Sequence, residues 1–412
     1  MGVHMMSNGV KNSRASIVDD SEKVLPNGFR RLKPQEKADR NRKVLNLFNE
    51  AVSDQVGAQD IFIVEGEVPE FRVKGVLMKV NQFYPWDLDD FNYFLRNVSQ
   101  QYTKSRDRLD DTVLDTKFYS ALMRDNEKKY DYSFMFGKKT FRCHVFSASA
   151  ANDRREKAAI VIRVIPHNIP KILDLNLPKV VEKIPKFQSG LVLVSGRTND
   201  GKSTTVASIV NAINLDMERR KVIVTVEDPI EFHYKQANAK ILQRRVGDNV
   251  PSFARATEDI LREGVDVAVI GELRGEEEMY NALKLAEMGK LVISTIHADS
   301  VAATVDRFVG EFSADIQSNI RSRLVENLLA IVHQNLDIYK GEQYPIASAL
   351  LISDKEIRDK LRAEPTRDGI NKLLEEGDPT WAVTREDAYK ELLDRGVIDD
   401  GARDLFLSKT RV

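Results

Sequence analysis

The stretch Leu191-Val192-Leu193-Val194-Ser195-Gly196-Arg197-Thr198-Asn199-Asp200-Gly201-Lys202-Ser203-Thr204 decides how this chain is read. A short apolar run ends at Ser195, a glycine loop follows, and a helical run continues to about Met217. The loop fits the pattern G-x-x-x-x-G-K-[ST]. Gly196 and Gly201 permit the tight turn that aims backbone N–H groups at phosphate oxygens. Lys202 reaches the β- and γ-phosphates of a nucleotide, and the Ser203 hydroxyl is a ligand for Mg²⁺. The helix N-terminus adds a favourable dipole. An ordinary glycine turn is the plainer alternative, but it leaves the flanking strand and apolar-faced helix unexplained. The nucleotide-contacting set is then Gly196, Arg197, Thr198, Asn199, Asp200, Gly201, Lys202, Ser203 and Thr204. Asp200 is the oddity. It puts a carboxylate in a loop built for anions, so its charge must point away or be paired, with a modest cost in affinity.

Downstream, apolar strands alternate with helices. Val222–Val226 ends in Glu227-Asp228-Pro229-Ile230-Glu231, and Val265–Gly271 ends in Glu272. Leu291–Thr295 is a third strand and leads to His297, with a helix over Glu277–Met288 between the last two. Such strands indicate a parallel sheet covered on both faces, and the C-terminal ends of its strands are where ligands bind. Glu272 is placed to polarise an attacking water, and Glu227 to hold Mg²⁺ through water. Either glutamate alone would read as a solvated strand-end charge. Two of them after a phosphate loop read as functional. His297 shares that edge, where it would contact a γ-phosphate or the water.

Outward from this core the pattern changes twice. Asp315–His333 reads as an amphipathic helix, and Lys355–Arg362, Asp368–Glu376 and Arg385–Gly396 look helical. Before the core, Pro166, Pro170, Pro178 and Pro185 resist one continuous helix, leaving a linker with a short helix near Val180–Lys183. Further upstream, Val44–Val52 and Leu88–Gln101 have helical spacing. Ile61–Val64, Phe71–Val80, Tyr132–Phe136, Thr140–Phe146 and Ala158–Ile165 read as strands. The expected organisation is a flexible basic tail over 1–43, an N-terminal α+β domain over 44–166, a Pro-rich linker over 167–189, an α/β nucleotide core over 190–345, and a C-terminal helical region over 346–412. The tail, with Arg40, Arg42 and Lys43 among its cations, reads first as a solvated arm and second as a docking arm for a partner or acidic membrane surface.

Composition narrows the class. The 412 residues carry 62 Lys+Arg against 63 Asp+Glu, a net charge of −1, which argues against a generic polycation coating nucleic acid. The single cysteine, Cys143, excludes a disulfide framework within the chain and a cysteine-based zinc site. No apolar stretch approaches the ~20 residues of a membrane span, and no secretory leader is visible. A cytoplasmic protein that meets membranes through partners is the expectation.

Taken in order, the motifs resemble those of the type II and type IV secretion ATPases, with the PilT/DotB-like branch most similar. After the phosphate loop comes an acidic box, Val226-Glu227-Asp228-Pro229-Ile230-Glu231-Phe232. Gln243-Arg244-Arg245-Val246-Gly247 follows, then a Walker B strand ending Ile270-Gly271-Glu272-Leu273-Arg274, then a histidine box, Ser294-Thr295-Ile296-His297. Asp60-Ile61-Phe62 and Phe71-Arg72-Val73-Lys74-Gly75 resemble the family's N-terminal PAS-like domain. Thr140-Phe141-Arg142-Cys143 and Ile162-Arg163-Val164-Ile165-Pro166 resemble its late strands. The likeness spans roughly residues 44–400.

The resemblance implies a RecA-like P-loop NTPase core, ATP and Mg²⁺ as ligands, and a homohexameric ring. It also implies partners in an inner-membrane secretion or pilus platform, and no specific nucleic acid. It assigns Arg142 and Arg163 to the phosphates, where they would neutralise transition-state charge; strand arginines facing solvent are the alternative. The sequence departs from the family pattern at Arg197, Asn199 and Asp200, where small residues are usual, at Lys290 after Gly289, and at Phe62. Ala347–Ser353 lacks the acidic residue usual in pilus retraction members. The expected function is therefore a DotB-like secretion or conjugation motor, with a pilus retraction ATPase or a nucleotide-gated scaffold as alternatives. A DNA-translocating motor is disfavoured by the charge balance.

Overall fold

The computed structural model describes residues 34–53, 55–79, 83–94, 130–137, 139–149, 156–165, 168–352 and 354–402. The expected tail up to residue 33, the expected helix beyond Phe94, and Pro166 lie outside the described residues. The chain divides into two compact units. The first takes in the chain up to Phe71, Leu77–Phe136 and Phe141–Arg163; the second carries Val164 onward with the short pieces Arg72–Val76 and Gly137–Thr140.

The N-terminal unit begins with α1, Pro34–Ala51, so the helix starts well before Val44 and inside the stretch expected as tail. Proline suits the first helical position because its missing N–H would have no partner there. Two of the basic residues, Arg40 and Lys43, are paired with acids, while Lys37 and Arg42 are exposed. Arg40 donates to Asp90 at 2.5 Å and Asp87 at 2.7 Å, and Lys43 to Asp90 at 2.5 Å. Those acids open α2, Leu88–Tyr93, where Asp87 and Asp90 form a capping box. The sheet has the order β3-β2-β1-β6-β5-β4, from β1 (Asp60–Val64), β2 (Glu70–Val73), β3 (Val76–Lys79), β4 (Tyr130–Phe136), β5 (Lys139–Ser149) and β6 (Glu156–Ile165). The strand expected over Phe71–Val80 is two strands. Lys74 and Gly75 take φ of +49° and +83°, the backbone of a tight hairpin turn. Its core is aromatic: Phe48 stacks on Phe94 at 5.6 Å and meets Phe141 edge-on at 5.1 Å.

The second unit starts with two 3-10 helices, Ile172–Leu175 and Lys179–Lys186, where the linker was expected. Its sheet has the order β14-β13-β12-β7-β11-β10-β8-β9. The strands are β7 (Gly190–Ser195), β8 (Val222–Glu227), β9 (Lys240–Arg245), β10 (Val267–Ile270), β11 (Leu291–Ile296), β12 (Leu328–Tyr339), β13 (Glu342–Leu351) and β14 (Ala382–Val383). β7 through β12 run parallel, β13 runs antiparallel to β12, and β14 runs antiparallel to β13, so the sheet is mixed. Between the strands lie α3 (Lys202–Leu215), α4 (Phe253–Ile260), α5 (Glu276–Glu287), α6 (Val301–Gly310), α7 (Gln317–Asn327), α8 (Lys355–Ala363), α9 (Arg367–Glu375) and α10 (Arg385–Asp394).

β7 shows why its sequence is apolar throughout. Leu191 and Leu193 join the core that packs α4 to α9, whereas Val192 and Val194 face α3, the 3-10 helices and α10. A strand covered on both faces has no polar side to alternate with. Each such side chain contributes about 2 kcal/mol by leaving water.

Two expectations are corrected here. Asp315–His333 is not one helix: α7 ends at Asn327 and β12 begins at Leu328. The run Leu328-Leu329-Ala330-Ile331-Val332 fits a buried helix or a buried strand by pattern alone, and the open edge of β7 selects the strand. The C-terminal region is not purely helical. β13 crosses the expected boundary at 345, and β14 adds a short edge strand. No helix among the described residues is long and apolar enough to cross a membrane.

Candidate nucleotide-binding site

The site is assembled at the ends of the parallel strands. β7 stops at Ser195, and the loop turns through Gly196 at φ +145°, Asn199 at +70° and Gly201 at +80°. Two of those positions are glycine for a visible reason. A Cβ on Gly196 would meet the Gln334 carbonyl oxygen at 2.3 Å, and one on Gly201 the Gln334 amide at 3.1 Å. Asn199 is one of the few other residue types that tolerate positive φ. Gly201 is the N-cap of α3 and supplies no side-chain cap, which leaves the first N–H groups of the helix for an anion. Arg197, Thr198 and Asn199 are exposed, and Ser203 and Thr204 are half-buried in the first turn.

Lys202 is buried and folded across the loop. Its Nζ donates to the carbonyls of Gly196 at 2.9 Å and Arg197 at 2.7 Å. Burial lowers its pKa, opposed by the charges of Asp200, Glu272 and Glu231. Glu231 is thus an acid of the box whose charge reaches the ammonium, a role that its place in the sequence does not mark.

Glu272 and His297 come together at the strand ends. His297 Nε2 is 3.1 Å from Glu272, and its Nδ1 is 3.1 Å from the Gly196 carbonyl and 3.5 Å from Lys202. The second oxygen of Glu272 accepts from Arg274 at 2.8 Å. Glu227 sits differently. Its carboxylate accepts from Thr225 at 2.7 Å, Gln243 at 3.4 Å and the Glu231 N–H at 3.3 Å, and burial raises its pKa. Gln243 on β9 also donates to the Phe232 carbonyl at 2.7 Å, so it pins the acidic loop. The strand β9 was not anticipated. Arg142 and Arg163 stand on β5 and β6 of the N-terminal unit, where Arg163 donates to Asp60, its registered partner on β1, at 3.0 Å.

Asp200 resolves its own oddity. Its carboxylate faces back into the protein and accepts from the N–H groups of Arg197 at 2.7 Å and Leu336 at 3.1 Å. Among the described residues no cluster of three His, Cys, Asp or Glu could cage a metal. The donors present, one helix hydroxyl and strand-end carboxylates, fit Mg²⁺, which keeps waters and phosphate oxygens in its shell.

A mixed sheet with a parallel core, a glycine loop with three positive φ values and a buried lysine, and an acid–histidine pair beside it define a phosphate-loop nucleotide-binding protein. The Type II/IV secretion system protein family model matches residues 157–337. A twitching motility protein of Neisseria gonorrhoeae is 36% identical over 61% of this chain and 67% of its own. The type IV pilus retraction ATPase PilT of Pseudomonas aeruginosa is 29% identical over 84% of this chain and 94% of its own. The ATPase DotB of Legionella pneumophila has the same fold, with a TM-score of 0.74 at 22% identity, covering 90% of this chain and 96% of that one. The chain belongs to the type II/IV secretion ATPase family, in the PilT-like branch.

Proposed function

We propose that this protein is a Mg²⁺-dependent ATPase that works as a homohexameric motor for a type IV secretion or conjugation machine. The observation that carries the reading is the convergence of Lys202, Glu272 and His297 on the Gly196 turn. In this reading the loop N–H groups and the Lys202 ammonium hold the ATP phosphates. Lys202 exchanges its two carbonyl partners for phosphate oxygens when nucleotide enters. Ser203, with Glu272 and Glu227 behind it, would hold Mg²⁺, which supplies charge neutralisation on the phosphate oxygens. Glu272 orients and deprotonates the attacking water, and His297 fixes that carboxylate relative to the loop. Arg142 and Arg163 of the N-terminal unit, which we take as PAS-like, add positive charge to the phosphates. The product would be ADP and phosphate. Work at the membrane would pass through platform proteins.

Steady-state phosphate release against protein concentration tests this. Specific activity that rises with concentration and vanishes in Glu272→Gln supports a motor completed by a neighbouring subunit. Flat, variant-insensitive release defeats it, and a nucleotide-gated scaffold becomes the better account. The identities to a twitching motility protein and a pilus retraction ATPase favour a second reading, pilus retraction. Restored twitching in a strain lacking its retraction ATPase would establish that reading over secretion.

A further inference from the structure

β12 outruns its neighbour. Its pairing with β7 ends at His333 opposite Ser195, yet the strand continues to Tyr339, paired there with β13 alone. The phosphate loop leaves β7 at that point and lies on the overhang. Three consecutive residues of the overhang hold it. Gln334 donates to the Asp200 carbonyl and accepts from Thr205 at 2.7 Å. Asn335 donates to the Asp200 carboxylate at 3.4 Å, and the Leu336 N–H donates to it at 3.1 Å. The same carboxylate closes the loop on itself through the Arg197 N–H. Beyond the overhang, Arg385 at the start of α10 donates to Asn335 at 2.8 Å and to the buried Asp337 at 2.5 Å.

We propose that Asp200 is a positioning residue for the nucleotide reaction: its carboxylate docks the phosphate loop on the β12 overhang and, through Asn335 and Arg385, ties the loop to the seating of α10. The proposal rests on the ATPase reading above and adds to it a residue and a route. A carboxylate in an anion-binding loop would repel phosphate if its oxygens faced the ligand. Here both oxygens accept from the protein, so they are turned away from the phosphate side, and the Arg197 N–H is committed to shaping the loop. A loop with three positive φ values is costly to hold open, and holding it before the ligand arrives removes that cost from binding. The residue therefore acts on nucleotide affinity without touching nucleotide. Arg385, further along the route, acts in the same direction.

The test compares the full-length protein with Asp200→Ala, Asn335→Ala and Arg385→Ala. Two readouts are used: amide hydrogen exchange without nucleotide, and KM and kcat for ATP with ADP titration. The expected result for Asp200→Ala is lost protection at Leu336, with KM and the ADP dissociation constant raised about tenfold and kcat within about twofold. Asn335→Ala and Arg385→Ala should shift KM the same way by less, and Asp200→Asn, which keeps an acceptor oxygen, should recover part of the loss. Unchanged protection at Leu336 in Asp200→Ala overturns the tie. Lost protection with unchanged KM and ADP affinity overturns the positioning role, as does a fall in kcat and thermal stability with no change in KM. Exchange is read without ATP, so failure of the unsubstituted protein to bind nucleotide would strike the ATPase reading while the tie is still judged.

Discussion

His297 bridges two ends of the site: its Nε2 lies 3.1 Å from the Glu272 carboxylate and its Nδ1 3.1 Å from the Gly196 carbonyl. The imidazole thus joins the first turn of the phosphate loop to the acid after β10. Two strands that do not neighbour each other, β7 and β10, are linked across β11 by one side chain. A change in loop conformation on phosphate binding would be felt directly at Glu272.

Replacing Glu272 by Gln keeps the volume and removes the carboxylate proposed as the base. Phosphate release should fall about 10²–10⁴-fold, with ATP binding retained in an equilibrium titration. Full turnover by the variant would exclude Glu272 as the group that activates water. His297→Ala should lower kcat by a smaller factor, because it removes the contact to Glu272 and leaves the carboxylate.

Lys202→Ala deletes the ammonium that spans the loop. Loss of ATP and ADP binding at concentrations that saturate the unsubstituted protein is expected. Thermal stability should fall as well, since the Gly196 carbonyl that the ammonium bonds is buried and loses that donor. Retained nucleotide binding would remove Lys202 from the phosphate site.

Gly196→Ala is expected to cost about 2 kcal/mol or more, measured by denaturant unfolding. The new Cβ meets a backbone carbonyl of β12 at 2.3 Å, which cannot swing aside as a side chain would, and φ is +145°. Gly247→Ala, where nothing stands within 4 Å of a Cβ, is the control for positive φ alone.

His333 introduces a pH dependence. It is buried on β12 with Nδ1 3.2 Å from the Ser195 hydroxyl, and burial lowers its pKa from 6.5 to about 4. The unfolded chain takes up the proton first as pH falls. The stabilisation from a neutral His333 is therefore complete above pH 6.5, declines as pH drops towards 4, and is gone below it. The total is about 3 kcal/mol. Urea midpoints of the protein and of His333→Gln, followed from pH 7 to 4, should converge as this contribution disappears. Parallel curves would show that His333 does not titrate in this range.

Much of the candidate site was legible because its chemistry is local. Gly196–Thr204 carries its own turn and helix start, and Glu272 and His297 stand at the ends of short apolar strands whose parallel order the alternation with helices already implies. The ambiguous signals are local too. Leu328–Val332 is apolar at every position, and periodicity cannot separate a buried helix from a buried strand. Arg40 and Lys43 looked like a solvated run because the carboxylates that pair with them lie more than forty residues away, at Asp87 and Asp90.

The sequence by itself determined the phosphate loop, the order of acid and histidine after it, and an α/β core with both faces covered, because each follows from neighbours along the chain. Tertiary structure alone decided what holds the loop in place. Asp200 could repel a nucleotide or serve one. The choice depends on where its oxygens find donors, and those donors sit on β12 at Leu336 and Asn335. Their proximity is set by strand pairing across more than a hundred residues, which no local pattern encodes.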